Sequence, residues 1–92
     1  MRAHLGKLFT RGDRVDVNAK LVGQIIQEYR QKSGRSQEVV SGLAGIDRTH
    51  YSKIERGERM PTITTLFKIA HALEVHPCDI VKSIENAVNF QI

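Results

Sequence analysis

This chain has few of the residues that cross-link, stack or cross membranes. Its one cysteine, Cys78, excludes an internal disulfide and fits a reducing cytoplasm, the expected location. Tryptophan is absent and aromatics make up only 5% of the chain, so an RNA binder built on stacked rings is the weaker reading. No apolar run approaches the ~20 residues that span a bilayer, so no membrane segment and no secretory signal are expected. Strand patterns are scarce, and no glycine-rich phosphate loop follows one. None of His4, His50, His71 and His76 is spaced i, i+4 from another ligand type, and His76-Pro77-Cys78 is a lone pair of possible donors. No nucleophile stands with its base. The expectation is therefore no metal, no cofactor, no catalytic residue and no enzyme.

What remains is an ordinary globular composition. The 92 residues suit one domain with one modest core, at 40% hydrophobic and 26% charged. A net charge of +4 tilts the reading toward a polyanionic partner.

The most legible stretch is Ser36 to Gly57. Ser36 is placed to cap a helix, Glu38 suits its first turn, and Val40, Leu43 and Ala44 form an inward stripe. Gly45 ends that helix and Asp47 caps the next almost at once. Ile46 and Tyr51 occupy the two positions of a hydrophobic staple. Tyr51 and Ile54 turn inward, which leaves Arg48, Thr49, Ser52, Lys53 and Arg56 on the outer face until Gly57 stops the helix. A helix with one buried flank and an outer row of Arg, Thr, Ser and Lys suits the major groove of DNA.

The flanking sequence supports this pair. Asn18 caps a helix running to about Lys32, with Leu21, Val22, Ile25, Ile26 and Tyr29 as its apolar stripe and Gly34 as its stop. After Gly57, Thr62 caps a helix whose core stripe is expected to be Ile63, Leu66, Phe67, Ala70 and Leu73. Pro77 and Asp79 open a last helix, with Ile80, Val81, Ile84 and Val88 inward. Residues 1–18 read as an N-terminal extension, 19–86 as the domain and 87–92 as an apolar tail. In the extension, Leu5, Leu8 and Phe9 could form a short helical stripe and residues 14–17 a brief strand. Its basic residues suit a DNA-touching arm or a frayed terminus, and Leu8, Phe9 and Val15 suit a packing or dimer-forming role. The tail, with Val88, Phe90 and Ile92, suits a small strand or a contact with a second copy.

The chain resembles the Cro and phage-repressor family of helix-turn-helix proteins, often called the XRE type. The matching residues are Ser36-Gln37-Glu38, Gly45-Ile46-Asp47-Arg48-Thr49, Ile54-Glu55-Arg56-Gly57, Pro61, Leu66 and Ala70-His71-Ala72-Leu73, within a similarity from Leu21 to Ile84. Ser41 departs from the family's usual alanine, and Leu43 from its usual polar residue. The resemblance implies an all-α, compact five-helix, lambda-repressor-like domain. It implies that Arg48, Thr49, Ser52 and Lys53 face base edges and that Gln37, Arg56 and Arg59 lie near phosphates. It further implies that Arg30 pairs with Glu55 and pins the first helix to the recognition helix.

The partner so implied is double-stranded DNA, bound by a homodimer on a palindromic operator, and the role is a transcriptional regulator, a repressor first. Asp47-Arg48-Thr49 and the run from Ile54 to Arg59 also resemble restriction–modification controller proteins, although they are shared across the family and leave the subfamily open. The alternative from another class is an antitoxin-type module binding a toxin protein and its own operator.

Overall fold

A computed structural model describes residues 15–92. Five helices follow one another: α1 (Ala19–Ser33), α2 (Gln37–Ala44), α3 (Arg48–Glu55), α4 (Ile63–Leu73) and α5 (Pro77–Ala87). There is no strand among the described residues. Residues 15–17, expected to complete a brief strand, are irregular and exposed, and the expected stripe of Leu5, Leu8 and Phe9 lies outside the described residues.

The starts of four helices are fixed by local chemistry. Asn18 Oδ1 accepts from the amide of Leu21 at 2.9 Å, Ser36 Oγ from Val39 at 3.1 Å and Thr62 Oγ1 from Thr65 at 3.1 Å. Asp47 takes two amides of α3, Thr49 at 3.0 Å and His50 at 3.3 Å. Each cap satisfies amide donors that a helix end otherwise leaves without a partner. Between α2 and α3 the chain reverses at Gly45, whose φ of 71° is the left-handed region where a side chain is strained. The turn is closed by the amide of Ile46 donating to the carbonyl of Ser41 at 3.0 Å.

One core joins all five helices. Ile26 of α1, Val40 of α2, Tyr51 and Ile54 of α3, Ile69 of α4 and Ile80 of α5 have no exposed surface. Burying an isoleucine-sized side chain contributes about 1.5–3 kcal/mol, so these positions carry much of the fold's stability. The packing pairs α1 with α3 and α5, and α2 with α3 and α4. Tyr29 ties α1 to α5 through its hydroxyl, which donates to the carbonyl of Asp79 at 3.1 Å and lies 2.9 Å from Ser83 Oγ. Arg35 reaches from the α1–α2 link to the carbonyl of Ala72 and the carboxylate of Glu74, fixing the end of α4.

Three expected stripes are displaced. In α4, Ile63 is 70% and Phe67 56% exposed, while Ile69 and Ala72 join Leu66, Ala70 and Leu73 inside. The helix is turned so that 66, 69, 70 and 73, also a helical spacing, face the core. In α2, Leu43 is exposed and Ser41 takes the buried place, its hydroxyl satisfied by donating to the carbonyl of Glu38 at 3.1 Å. That bond removes the cost of burying a hydroxyl without a partner. In α5, Val81 is exposed and only Ile80 and Ile84 are buried. The tail forms no strand, since Asn89 turns the chain with a φ of 54°.

Candidate nucleic-acid interface

Helix α3 lies with one flank in the core and the other in solvent. Tyr51, Ile54 and Glu55 are buried; Arg48, Thr49 and Arg56 are exposed; Ser52 and Lys53 are half-buried. At 3.6 residues per turn, these five polar side chains occupy an arc of roughly 140°. Arg59 follows in the exposed loop after α3. The three ion pairs found among the described residues take none of Arg48, Lys53 and Arg59.

The inward side of α3 is held by a buried carboxylate. Glu55 Oε2 accepts from Arg30 Nε at 2.7 Å and from the Tyr51 hydroxyl at 2.5 Å, while Oε1 accepts from Arg30 Nη2 at 3.2 Å and from Gln37 Nε2 at 2.8 Å. Three helices thus meet on one residue. Burial alone would raise the Glu55 pKa, but the bonds from Arg30, Tyr51 and Gln37 outweigh it and hold the carboxyl below its ordinary value. Burial and the neighbouring carboxylate push the Tyr51 hydroxyl up, so it stays a donor. The bond to Glu55 raises Arg30. Arg30 also donates to the carbonyl of Arg35 at 3.0 Å, which steadies the link into α2.

Gln37, placed near phosphates by the resemblance, spends one amide N–H on Glu55 and stands half-buried. Arg56 is exposed, and its guanidinium is occupied: Nε meets Glu58 Oε2 at 2.8 Å, Nη2 meets Oε1 at 3.3 Å, and Nη1 donates to Ser52 Oγ at 2.7 Å. The exchange raises Arg56 and lowers Glu58. A cleft of about 530 Å³ opens beside this pair, between α1 and the end of α3, lined by Lys20, Gln24, Gln27, Gln37, Glu55, Arg56 and Glu58.

Reading the residues alone missed Gly23. A Cβ there would run into the carbonyl oxygen of Ile54 and lie 2.8 Å from that of Glu55, so glycine lets α1 press against the last turn of α3. Gly57, with a φ of 79°, has the same need twice over, since a Cβ would stand 2.7 Å from Lys20 Cα. The only signal in the sequence was a glycine inside a helical pattern, which is otherwise costly. The Arg56–Glu58 bridge was missed because i, i+2 residues do not face each other on a helix, and here the chain has already left it.

Two short helices joined through Gly45, Ile46 and Asp47, the second presenting a polar arc and pinned from behind, define a helix-turn-helix domain. Residues 26–80 match the family described as helix-turn-helix (HTH_3), and the chain belongs to that family. It is similar to the uncharacterized HTH-type transcriptional regulator y4dJ of Sinorhizobium fredii, 39% identical over 62 residues, covering 67% of this chain and 80% of that protein. It is also similar to the control protein C.BamHI of Bacillus amyloliquefaciens, 39% identical over 62 residues, covering 66% of this chain and 76% of that one. Among solved structures, the restriction–modification controller protein C.Esp1396I, as a tetramer in complex with its natural 35-base-pair operator, superposes with a TM-score of 0.71. It is 29% identical over 78% of this chain and 95% of that chain.

Proposed function

We propose that this chain is a sequence-specific, double-stranded-DNA-binding transcriptional regulator of the restriction–modification controller kind, a repressor that acts as a homodimer on a palindromic operator. The observation that carries this reading is the solvent-open polar arc of α3. Arg48, Thr49, Ser52 and Lys53 reach base edges in the major groove, and Arg56, Arg59 and the remaining amide hydrogen of Gln37 meet phosphates. Arg30 and Glu55 hold the angle of α3 and touch no DNA. The likeness to two control proteins and to a controller seen on its operator supports the subfamily. The exposed Val81, Phe90 and Ile92, on α5 and the tail, are our choice for the dimer surface. Residues 19–86 are the DNA-binding unit, the chain is no enzyme, and it works in the cytoplasm, where its DNA is. No observation favours the antitoxin alternative.

Paired substitutions test the assignment. Arg48→Ala is expected to cost about 1–3 kcal/mol and to relax preference at one base pair. Arg56→Ala is expected to weaken binding to all sequences alike and to flatten its salt dependence. If binding to a selected operator were unchanged in both variants, α3 would not be the reading element.

A further inference from the structure

The proposed interface contains a carboxylate that DNA should repel and that caps no helix. Glu58 stands half-exposed beside the polar arc, one turn of chain past α3. Both of its oxygens face Arg56, at 2.8 Å and 3.3 Å, the side-by-side geometry in which an arginine grips a phosphate. Its backbone is fixed independently of its side chain, since its amide donates to the carbonyl of Lys53 at 2.9 Å and Gly57 sets the turn before it. The side chain therefore has no structural duty that a neutral amide of the same shape would fail. The cleft beside the pair carries a further cation, Lys20, and the amides of Gln24, Gln27 and Gln37; its other carboxylate, Glu55, is already paired with Arg30.

We infer that Glu58 is an affinity attenuator: in the free protein its carboxylate occupies the Arg56 guanidinium as an internal stand-in for a DNA phosphate, which must displace it on binding. The inference rests on the reading of Arg56 as a phosphate contact. Displacement weakens binding by the same factor on every duplex, because phosphates carry no sequence. It also removes part of the salt dependence, because a cation neutralised by its own protein releases less from the ion atmosphere of DNA. Base discrimination by Arg48 and its neighbours is untouched. A regulator so built binds its operator at a chosen protein concentration, set by a residue that reads no base. Glu58 is in this sense a positioning residue that acts through Arg56.

The test uses the full chain, its selected operator and an unrelated duplex, with Kd measured over a range of salt. Glu58→Gln is expected to tighten both duplexes by the same factor, about three- to tenfold, and to steepen the slope of log K against log salt by up to about 0.9, the share of one phosphate. The operator-to-unrelated ratio stays constant. In an Arg56→Ala background the same substitution is expected to change little. An unchanged or weakened Glu58→Gln variant overturns the inference. So does a tightening that persists in full without Arg56, which would reduce Glu58 to one more surface charge. Wild-type binding separates the two failures. A wild type that prefers its operator while Glu58→Gln equals it removes only the attenuator; a wild type that binds no duplex removes the DNA-binding reading and this inference with it.

Discussion

Arg30 and Glu55, 25 residues apart, meet through two bonds of 2.7 Å and 3.2 Å, and the carboxylate side chain keeps only 1% of its surface exposed. The pair joins the last turn of α1 to the last residue of α3, and Tyr51 and Gln37 fill the remaining lone pairs of the carboxylate. Such a pair contributes little relative to well-packed apolar residues, but removing one partner leaves a buried charge without compensation. Arg30→Ala is expected to cost about 3–5 kcal/mol in urea unfolding, more than a surface pair, whose loss costs under about 1 kcal/mol. A loss within that surface range would show that Glu55 is better hydrated than its burial implies.

The same network sets a pH dependence. Glu55 is held below its ordinary 4.5 when folded, so the folded chain binds fewer protons there than the unfolded chain. Its stabilisation is fully present above that value and is lost as pH falls through it toward the lower folded pKa. Tyr51 is shifted upward from its ordinary 10.0, so its contribution is present below that value and is lost as pH rises beyond it. Urea midpoints should fall on the acid side in the wild type and fall less steeply in Glu55→Gln. Identical acid profiles for the two proteins would assign acid sensitivity to other carboxylates.

Gly23→Ala opposes a local gain to a tertiary clash. Alanine in a helix interior is favoured by about 1 kcal/mol over glycine. Here its methyl group would meet the carbonyls of Ile54 and Glu55, which are backbone and cannot swing away. The expected outcome is a net destabilisation of about 1–3 kcal/mol by urea unfolding, as for overpacked cores. A more stable variant would mean that α1 and α3 stand further apart than described.

How much of this was legible beforehand follows the range of the interactions. Asn18, Ser36, Asp47 and Thr62 act within three residues of themselves, and a cap can be read from the residues it serves. The polar arc of α3 was equally plain, because Tyr51 and Ile54 fix its inward side. The rotation of α4 was not legible. Ile63 and Phe67 keep the same i, i+4 spacing as Ile69 and Leu73, and only the position of α2 and α5 decides which set is covered. Leu43 was misjudged for the same reason. The close approach at Gly23 joins α1 to the carbonyls of Ile54 and Glu55, far along the chain, which no local pattern encodes; the Tyr51 bond to Glu55 is a local i, i+4 pair within α3.

The exposed apolar residues of α5 and the tail carry the dimer proposal. Val81→Asp and Phe90→Asp, at positions 47% and 38% exposed, should leave the fold intact and shift sedimentation toward monomer. Operator binding should then weaken, since one recognition helix reads few bases. Unchanged dimers in both variants would move the contact elsewhere, with the exposed Ile63 and Phe67 of α4 as the next surface to examine.

The central claim is most directly tested by selecting bound sequences from random duplex DNA with the full chain. The expected result is one enriched consensus with two-fold symmetry and half-sites about 10 base pairs apart, centre to centre. Recovery of no preferred sequence, with wild-type protein that remains folded, would contradict the reading of α3 as an element that recognises bases.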